Sequence, residues 1–177
     1  MSRLELGPAL DANLAEPVAR ALGELPPELA ERILAAPIDP ELADTATFCE
    51  AYRVAPEDSA NCIVVAGKRG QAITYAACVV LATTRADVNS TVRKLLGARR
   101  ASFAPMDDAV RLTGMEYGGI TPIGLPSDWR VLVDSRVIPL EGAIVGAGIR
   151  AAKISIPGEV LAQLPNIEVV DGLAHEI

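Results

Sequence analysis

The sequence is poor in the two side chains that most often perform catalysis or bind metal ions. It contains one histidine and three cysteines among 177 residues. The histidine, His175, stands third from the end of the chain, and the cysteines follow no CxxC or Cys/His metal spacing. These absences disfavour a structural zinc site and a Ser-His-Asp or Cys-His catalytic arrangement.

Long apolar runs are also absent. Stretches such as Cys62–Ala66 and Ala76–Ala82 have the length of a strand, whereas a membrane-spanning helix needs roughly 20 apolar residues. No basic, apolar leader opens the sequence, and the odd number of scattered cysteines suits a reducing compartment. We therefore expect a cytoplasmic protein without a membrane partner.

Positive charge is scarce in the chain as a whole. The net charge is -7, which disfavours bulk binding to DNA, and six aromatic residues leave little for base stacking. One block departs from this balance, because residues 61–100 hold seven bases and one acid. Arg93, Lys94, Arg99 and Arg100 of this block either follow an RNA backbone or form a solvated helix end. Lys68 and Arg69 are expected to lie in a solvated hairpin turn. The seven bases are Lys68, Arg69, Arg85, Arg93, Lys94, Arg99 and Arg100.

The pattern of apolar residues predicts many short strands mixed irregularly with helices. Two apolar runs, Asn61–Ala66 and Ala72–Ala82, flank turn residues at 67–70 and predict a buried hairpin. A four-residue apolar repeat predicts a helix from Pro8 to Leu22. Further helices are predicted at 44–52, 88–96, 105–112 and 157–164, and further strands near 100–103, 131–133, 143–145, 153–156 and 167–170. The apolar residues of 28–38 allow either a helix or a short strand at 33–38, and the strand is favoured.

These elements favour an α+β (mixed α/β) fold in which helices surround a curved or barrel-like mixed β-sheet. The length suits a single domain over residues 1–177. A helical extension is expected at its N-terminus, over about residues 1–27.

The glycine-rich loop at 118–124 is the most informative segment. Glycines allow close backbone approach, and their exposed N–H groups can bind an oxyanion or a carbonyl oxygen. A tight structural loop that crosses the end of a barrel would have the same composition. The loop matches neither GxGxxG nor GxxxxGK[ST], so it does not predict a nucleotide-phosphate site.

This loop belongs to an ordered series of motifs. A buried hairpin and a capped helix ending in LLGA are followed by a TG step, GGITPIGLP at 118–126, VLVD at 131–134 and VGAG at 145–148. Over about residues 31–170 the series resembles the YbaK and prolyl-tRNA synthetase editing-domain family. Its members are aminoacyl-tRNA deacylases, free-standing or inserted into a synthetase, which hydrolyse the ester of a wrong amino acid without metal or organic cofactor.

The resemblance implies a set of site residues. The family's GxxxP loop corresponds to Gly118–Pro122 and holds the substrate carbonyl and the terminal ribose, and the VGAG turn forms the other rim of the pocket. The aspartate that ends VLVD, Asp134, is either a catalytic or a capping carboxylate. Gly118 is expected to act in catalysis, and the substrate-binding residues are expected to be Tyr117, Gly119, Ile120, Thr121, Pro122, Gly146 and Gly148.

Two positions depart from the family pattern. Asn61 stands where the family commonly has a lysine, and an amide can donate a hydrogen bond but carries no charge. Lys153 stands at a position that is often His or Asp in the family. The resemblance therefore implies that Asn61 takes part in catalysis and that Lys153 binds substrate, with one cation lost and another gained from a different strand.

The leading hypothesis is a trans-acting enzyme of translation fidelity that removes a small amino acid from mischarged tRNA of the tRNA(Pro) type. Without a strong general base, hydrolysis would depend on a positioned water and on the Gly118 and Gly119 amides, which would stabilise the oxyanion. The expected partners are the tRNA acceptor end and an aminoacyl-tRNA synthetase.

Two alternatives remain open. Asn61 in place of lysine suits a non-catalytic module that binds the tRNA end or an aminoacyl ligand. The acidic balance suits a domain that binds a small acyl or amino-acid ligand without RNA.

Overall fold

The computed structural model describes residues 3–177 and consists of short helices and strands in irregular alternation. The helices are α1 (Glu16–Glu24), α2 (Pro27–Ala30), α3 (Thr45–Tyr52), α4 (Arg93–Leu95), α5 (Met106–Thr113) and α6 (Gly158–Leu161). The strands are β1 (Gly7–Pro8), β2 (Leu34–Pro37), β3 (Ala60–Arg69), β4 (Ala72–Leu81), β5 (Thr84–Ala86), β6 (Arg100–Phe103), β7 (Arg130–Asp134), β8 (Ala143–Gly146), β9 (Ala152–Ile156), β10 (Ile167–Val170) and β11 (Ala174–Glu176). This mixture confirms the expected α+β class.

The strands of residues 3–177 form three sheets and no closed barrel. A mixed five-stranded sheet has the order β10-β7-β4-β3-β6, and an antiparallel four-stranded sheet has the order β1-β2-β9-β8. A third sheet pairs β11 with β5. The two larger sheets approach each other where Ser59 forms an isolated bridge with Ile144.

Apolar side chains from both larger sheets meet in one core. Val79 and Val133 of the five-stranded sheet and Ile154 of the four-stranded sheet are fully buried there, and α1 adds Val18 and Leu22. The other face of the four-stranded sheet is covered by α3, whose Phe48 and Cys49 pack with Ile144. Lys153 lies in the space between α3 and this sheet.

The predicted hairpin is confirmed, but its turn lies further along the chain than expected. Strands β3 and β4 pair from Ala60 with Leu81 to Arg69 with Ala72. The turn is therefore Gly70-Gln71, and Gly70 has a φ of +60°, as suits a two-residue hairpin loop. Lys68 and Arg69 consequently belong to a paired strand and not to a turn.

The helix predicted from Pro8 to Leu22 is wrong in its first half. Gly7 and Pro8 pair with β2, and the Ala9 N–H donates to the Ile33 carbonyl at 3.1 Å, so tertiary pairing overrides the apolar repeat. The helix begins at Glu16 with Pro17 in its first turn, where the missing N–H costs nothing.

Asp134 at the end of β7 is a structural carboxylate. Its side chain is 1% exposed and accepts hydrogen bonds from the Arg136 N–H at 3.0 Å, the Arg136 guanidinium at 2.9 Å and the Ala174 N–H at 3.0 Å. Burial raises the pKa of this carboxyl, but the hydrogen bonds from Arg136 and Ala174 outweigh burial and hold the pKa below its ordinary value. Asp134 thus caps a short turn and anchors the C-terminal strand β11.

Replacing Asp134 with asparagine tests this anchor. Asp134→Asn should lower the free energy of unfolding at neutral pH by about 1.5–3 kcal/mol, because hydrogen bonds to a charged acceptor are lost. A carboxyl with a lowered pKa stabilises the fold above its unfolded pKa, and this contribution disappears as the pH falls through the folded pKa. Urea unfolding at several pH values should therefore show the difference between wild type and variant shrinking in acid.

The exposed carboxylate Asp128, which forms no hydrogen bond within residues 3–177, supplies the control. Asp128→Asn should change stability by less than about 0.5 kcal/mol. Equal effects of the two substitutions, or a pH-independent loss for Asp134→Asn, would contradict the anchoring role.

Candidate functional site

The glycine loop and the VGAG turn are in direct backbone contact. The Gly148 N–H donates to the Gly119 carbonyl at 2.7 Å, and the Glu116 N–H donates to the Gly148 carbonyl at 2.9 Å. A Cβ on Gly146 would lie 2.5 Å from the Gly119 oxygen and 2.6 Å from the Ile120 oxygen. Only glycine at position 146 allows the two segments to meet in this way.

Gly118 and Gly119 allow the loop itself to turn. Gly118 has a φ of +84°, a conformation that L side chains rarely adopt, and a Cβ on Gly119 would lie 2.7 Å from the Ile149 carbonyl carbon. The Gly119 N–H donates to the Glu116 carbonyl at 3.0 Å. The expectation that this amide stabilises an oxyanion is therefore wrong, because its hydrogen is already bound within the loop. The N–H groups of Gly118 and Ile120 have no acceptor within residues 3–177.

Arg150, which the sequence did not suggest, connects this loop to α3. Its N–H donates to the Glu116 carboxylate at 3.1 Å, and its guanidinium donates to the Pro40 carbonyl and the Asp44 carboxylate, both at 3.2 Å. A Cβ on Gly118 would overlap the same guanidinium. Nothing in the sequence distinguishes Arg150 from other surface arginines, since its partners lie 34 to 110 residues away.

Asn61 lies near the start of β3 beside the first turn of α3. Its side-chain oxygen accepts a hydrogen bond from the Thr45 hydroxyl at 2.7 Å. Its amide nitrogen has no partner within residues 3–177. Thr45 therefore orients the amide, and the nitrogen keeps two hydrogens available for donation.

Lys153 lies in the space between the four-stranded sheet and α3. It pairs with Gly146 across β8 and β9, is 8% exposed, and places its Nζ 5.0 Å from the centre of the Phe48 ring. Burial lowers the pKa of this lysine. No carboxylate of residues 3–177 lies within 4 Å of its Nζ, so Lys153 is a buried cation that packs over an aromatic ring.

The remaining predicted residues differ in environment. Thr121 is fully buried, and its hydroxyl is the one buried side-chain polar atom of residues 3–177 without a hydrogen bond. Pro122 is buried and Ile120 is half-buried. Tyr117 is 57% exposed.

The structure thus brings part of the predicted set together. Gly119, Ile120, Gly146 and Gly148 touch directly, while Asn61 and Lys153 contact neighbouring turns of α3. A cleft of about 740 Å³ lies beside the same loop, between α1 and residues 122–127. Pro122 alone among the predicted site residues lines that cleft, so the cleft is not the predicted site.

The thiols and acids add no further chemistry to this site. Burial raises the pKa of the Cys62 and Cys78 thiols, so neither is an activated nucleophile. Within residues 3–177 no group of three or more histidine, cysteine or carboxylate side chains is placed to hold a metal ion. Over the same residues, no helix is long and apolar enough to cross a membrane.

The contact at Gly146 can be tested by adding one methyl group. Gly146→Ala should destabilise the protein by about 1–3 kcal/mol, because the methyl overlaps two backbone carbonyls that cannot rotate away. Urea unfolding measures the change. The control is Gly23→Ala in α1, where a Cβ meets no atom within 4 Å and the helix should gain about 0.5–1 kcal/mol. An unfolding midpoint of Gly146→Ala equal to wild type would show that the two segments do not meet as described.

Comparison with known proteins identifies the family of the chain. Residues 39–164 match the model of the aminoacyl-tRNA editing domain. A crystal structure of a protein proposed to be a trans-editing enzyme for prolyl-tRNA synthetase has a TM-score of 0.73 and 18% identity over 90% of this chain and 98% of that one. A hypothetical protein has a TM-score of 0.67 and 21% identity over 78% and 86% of the two chains.

A third structure shows the same fold inside a longer protein. It comes from Marinobacter aquaeolei VT8, is described as a proposed signal transduction protein, and has a TM-score of 0.57 and 19% identity. The match covers 93% of this chain but 31% of that one. At these identities the structural matches establish the fold, and the match over residues 39–164 establishes the family: the chain belongs to the aminoacyl-tRNA editing domain family.

Proposed function

We propose that this editing domain is a trans-acting deacylase, which hydrolyses the ester between a small, wrongly attached amino acid and tRNA of the tRNA(Pro) type. The observation that carries the proposal is the joined pair of glycine segments, with Asn61 and Lys153 beside the adjoining turns of α3. Family membership supports an editing function in general.

The oxyanion would be stabilised by backbone donors. The N–H groups of Gly118 and Ile120 have no internal acceptor, so they are available to a carbonyl oxygen as it gains charge. The Arg150 guanidinium lies against Gly118 while it binds Asp44 at the start of α3, which would limit the reorganisation of these donors when substrate binds.

In the proposed reaction, no side chain acts as a strong general base. The Glu116 and Asp44 carboxylates each accept a hydrogen bond from Arg150, and we assign neither of them to proton transfer. Hydrolysis would then depend on a water held near the ester, with the terminal ribose hydroxyl of the substrate assisting. The free amide hydrogens of Asn61 would orient the ester or the ribose.

Lys153 would supply the positive charge that Asn61 lacks. A buried ammonium without a carboxylate partner is costly, and an anionic group of a ligand would relieve that cost. The phosphate next to the 3′-terminal ribose of tRNA is such a group. We assign Lys153 to binding and not to proton transfer.

A panel of mischarged tRNA substrates tests the proposal. The purified protein should release amino acid from one or more of Ala-, Ser- and Cys-tRNA(Pro), and Gly118→Val should abolish release because valine cannot adopt the φ of +84° beside Arg150. Lys153→Met should lower kcat/KM by about 10- to 100-fold, the loss expected for a charge-assisted contact.

The same assay distinguishes the rival function, a non-catalytic module that binds the tRNA end. Asn61 at the position of the family lysine favours this rival. Tight binding of mischarged tRNA without release, together with a gain of deacylation in Asn61→Lys, would replace the deacylase proposal by the binding module.

Thr121 allows stability and substrate binding to be separated. Thr121→Val removes a buried hydroxyl without a partner, so stability should stay unchanged or rise by about 1–3 kcal/mol. If the hydroxyl is a substrate contact, kcat/KM should still fall by about 2- to 10-fold. Thermal unfolding and the deacylation assay give the two quantities.

The matched control is the buried Thr113. Its hydroxyl donates to the Ala109 carbonyl at 2.7 Å and accepts from the Met115 N–H at 3.2 Å. Thr113→Val should therefore lower stability by about 1–3 kcal/mol. Unchanged kcat/KM in Thr121→Val would remove Thr121 from the substrate site.

A further inference from the structure

The fold gathers five of the seven bases of residues 61–100 at one end of the β3–β4 hairpin. Lys68 lies opposite Arg100 in the pairing of β3 with β6, and the Arg99 N–H donates to the Lys68 carbonyl at 2.9 Å. The Arg69 guanidinium donates to the Gly97 carbonyl at 3.1 Å, and Gly97 in turn donates to the Lys94 carbonyl. All five side chains are exposed. The basic patch consists of Lys68, Arg69, Lys94, Arg99 and Arg100.

No carboxylate neutralises the basic patch. None of its five side chains has an acidic group within 4 Å among residues 3–177, whereas six arginines elsewhere in those residues form ion pairs. The six paired arginines are Arg20, Arg32, Arg111, Arg130, Arg136 and Arg150. The one acid of residues 61–100, Asp87, accepts hydrogen bonds from Ser90 and Thr91 and lies 3.5 Å from His175. The chain has a net charge of -7, so the basic patch is a local excess of positive charge on an acidic protein.

The position of the basic patch indicates the size of the anion that fits it. The strand β3 carries Asn61 near one end and Lys68 and Arg69 at the other. Seven residues of extended strand separate Asn61 from Lys68, about 23 Å at 3.3 Å per residue. A small aminoacyl ligand cannot reach both places, whereas a nucleic acid with its 3′ end at Asn61 extends that far.

We propose that the basic patch binds the phosphate backbone of the tRNA acceptor arm while the 3′ end occupies the site near Asn61. The inference rests on the proposed function for the identity of the RNA. The contacts are to phosphates, so they contribute affinity and salt dependence and carry no sequence information. The basic patch therefore acts in docking and lies away from the ester that is hydrolysed.

A pair of charge-matched triple variants tests the basic patch. One variant combines Lys68→Gln, Arg99→Gln and Arg100→Gln. The control combines Arg20→Gln, Arg32→Gln and Arg111→Gln, which removes the same charge from ion-paired surface arginines. Binding of uncharged tRNA is measured over a series of salt concentrations, and thermal unfolding confirms that both variants fold.

The expected result is a weaker salt dependence for the basic-patch variant alone. Each phosphate contact to duplex contributes about 0.9 to the slope of log K against log salt, so the slope should fall by about 2–3 and affinity at low salt by more than about 10-fold. The control variant should retain the slope and affinity of the wild type. Equal losses in both variants would indicate a general effect of net charge and overturn the proposal.

Two further measurements separate this inference from the proposed function. Binding of uncharged tRNA requires no hydrolysis, so loss of binding in the basic-patch variant would support the docking surface even if the wild type released no amino acid. Wild-type binding by that variant would overturn it even if deacylation were observed. Vesicles containing phosphatidylserine provide the other polyanion: loss of vesicle binding in the variant with unchanged tRNA binding would assign the patch to a membrane surface and overturn the proposal.

Discussion

The close backbone contact between the glycine loop and the VGAG turn determines how the rest of the site is arranged. The Gly119 and Ile120 carbonyls lie against Gly146 where any side chain would occupy the same space, and the Gly148 N–H binds the Gly119 carbonyl. Because Gly146 pairs with Lys153, the contact also places the loop beside the strand that carries the buried cation. Arg150 then joins this loop to α3, and α3 orients Asn61 through Thr45.

Within residues 3–177, two groups of positive charge lie without a carboxylate within 4 Å. Lys153 is buried against Phe48 without a carboxylate, and the basic patch is exposed without one. Burial disfavours the first charge, and repulsion between neighbouring bases disfavours the second. An anionic ligand would compensate both charges, and under the two proposals a single tRNA end supplies the anions.

Much of the fold was predictable because its longer elements carry their own signals. The hairpin β3–β4, the strands β6 and β10 and the helix α3 follow from apolar runs, turn residues and helix boundaries that lie within each segment. The strands β1, β5 and β11 were missed because they are two or three residues long and are defined by distant partners. The same reason explains the wrong helix over Pro8–Leu22, where pairing with β2 replaces the first turns.

The candidate site shows the same division. The glycine loop, the VGAG turn, Asn61 and Lys153 were identifiable from sequence because their motifs appear in a recognisable order. Arg150 and the engaged Gly119 amide were not, since each depends on a hydrogen-bond partner that the sequence does not specify.

By itself, the sequence determined the family, the α+β class and the existence of a basic block, because these depend on composition, local pattern and motif order. Only the tertiary structure decided which of these groups lie together. It placed Lys153 under α3, bound Asp134 to the C-terminal strand, and gathered five bases at one hairpin end. The physical reason is that charge and hydrogen-bond energies depend on distance in space, which strand pairing sets and residue order does not.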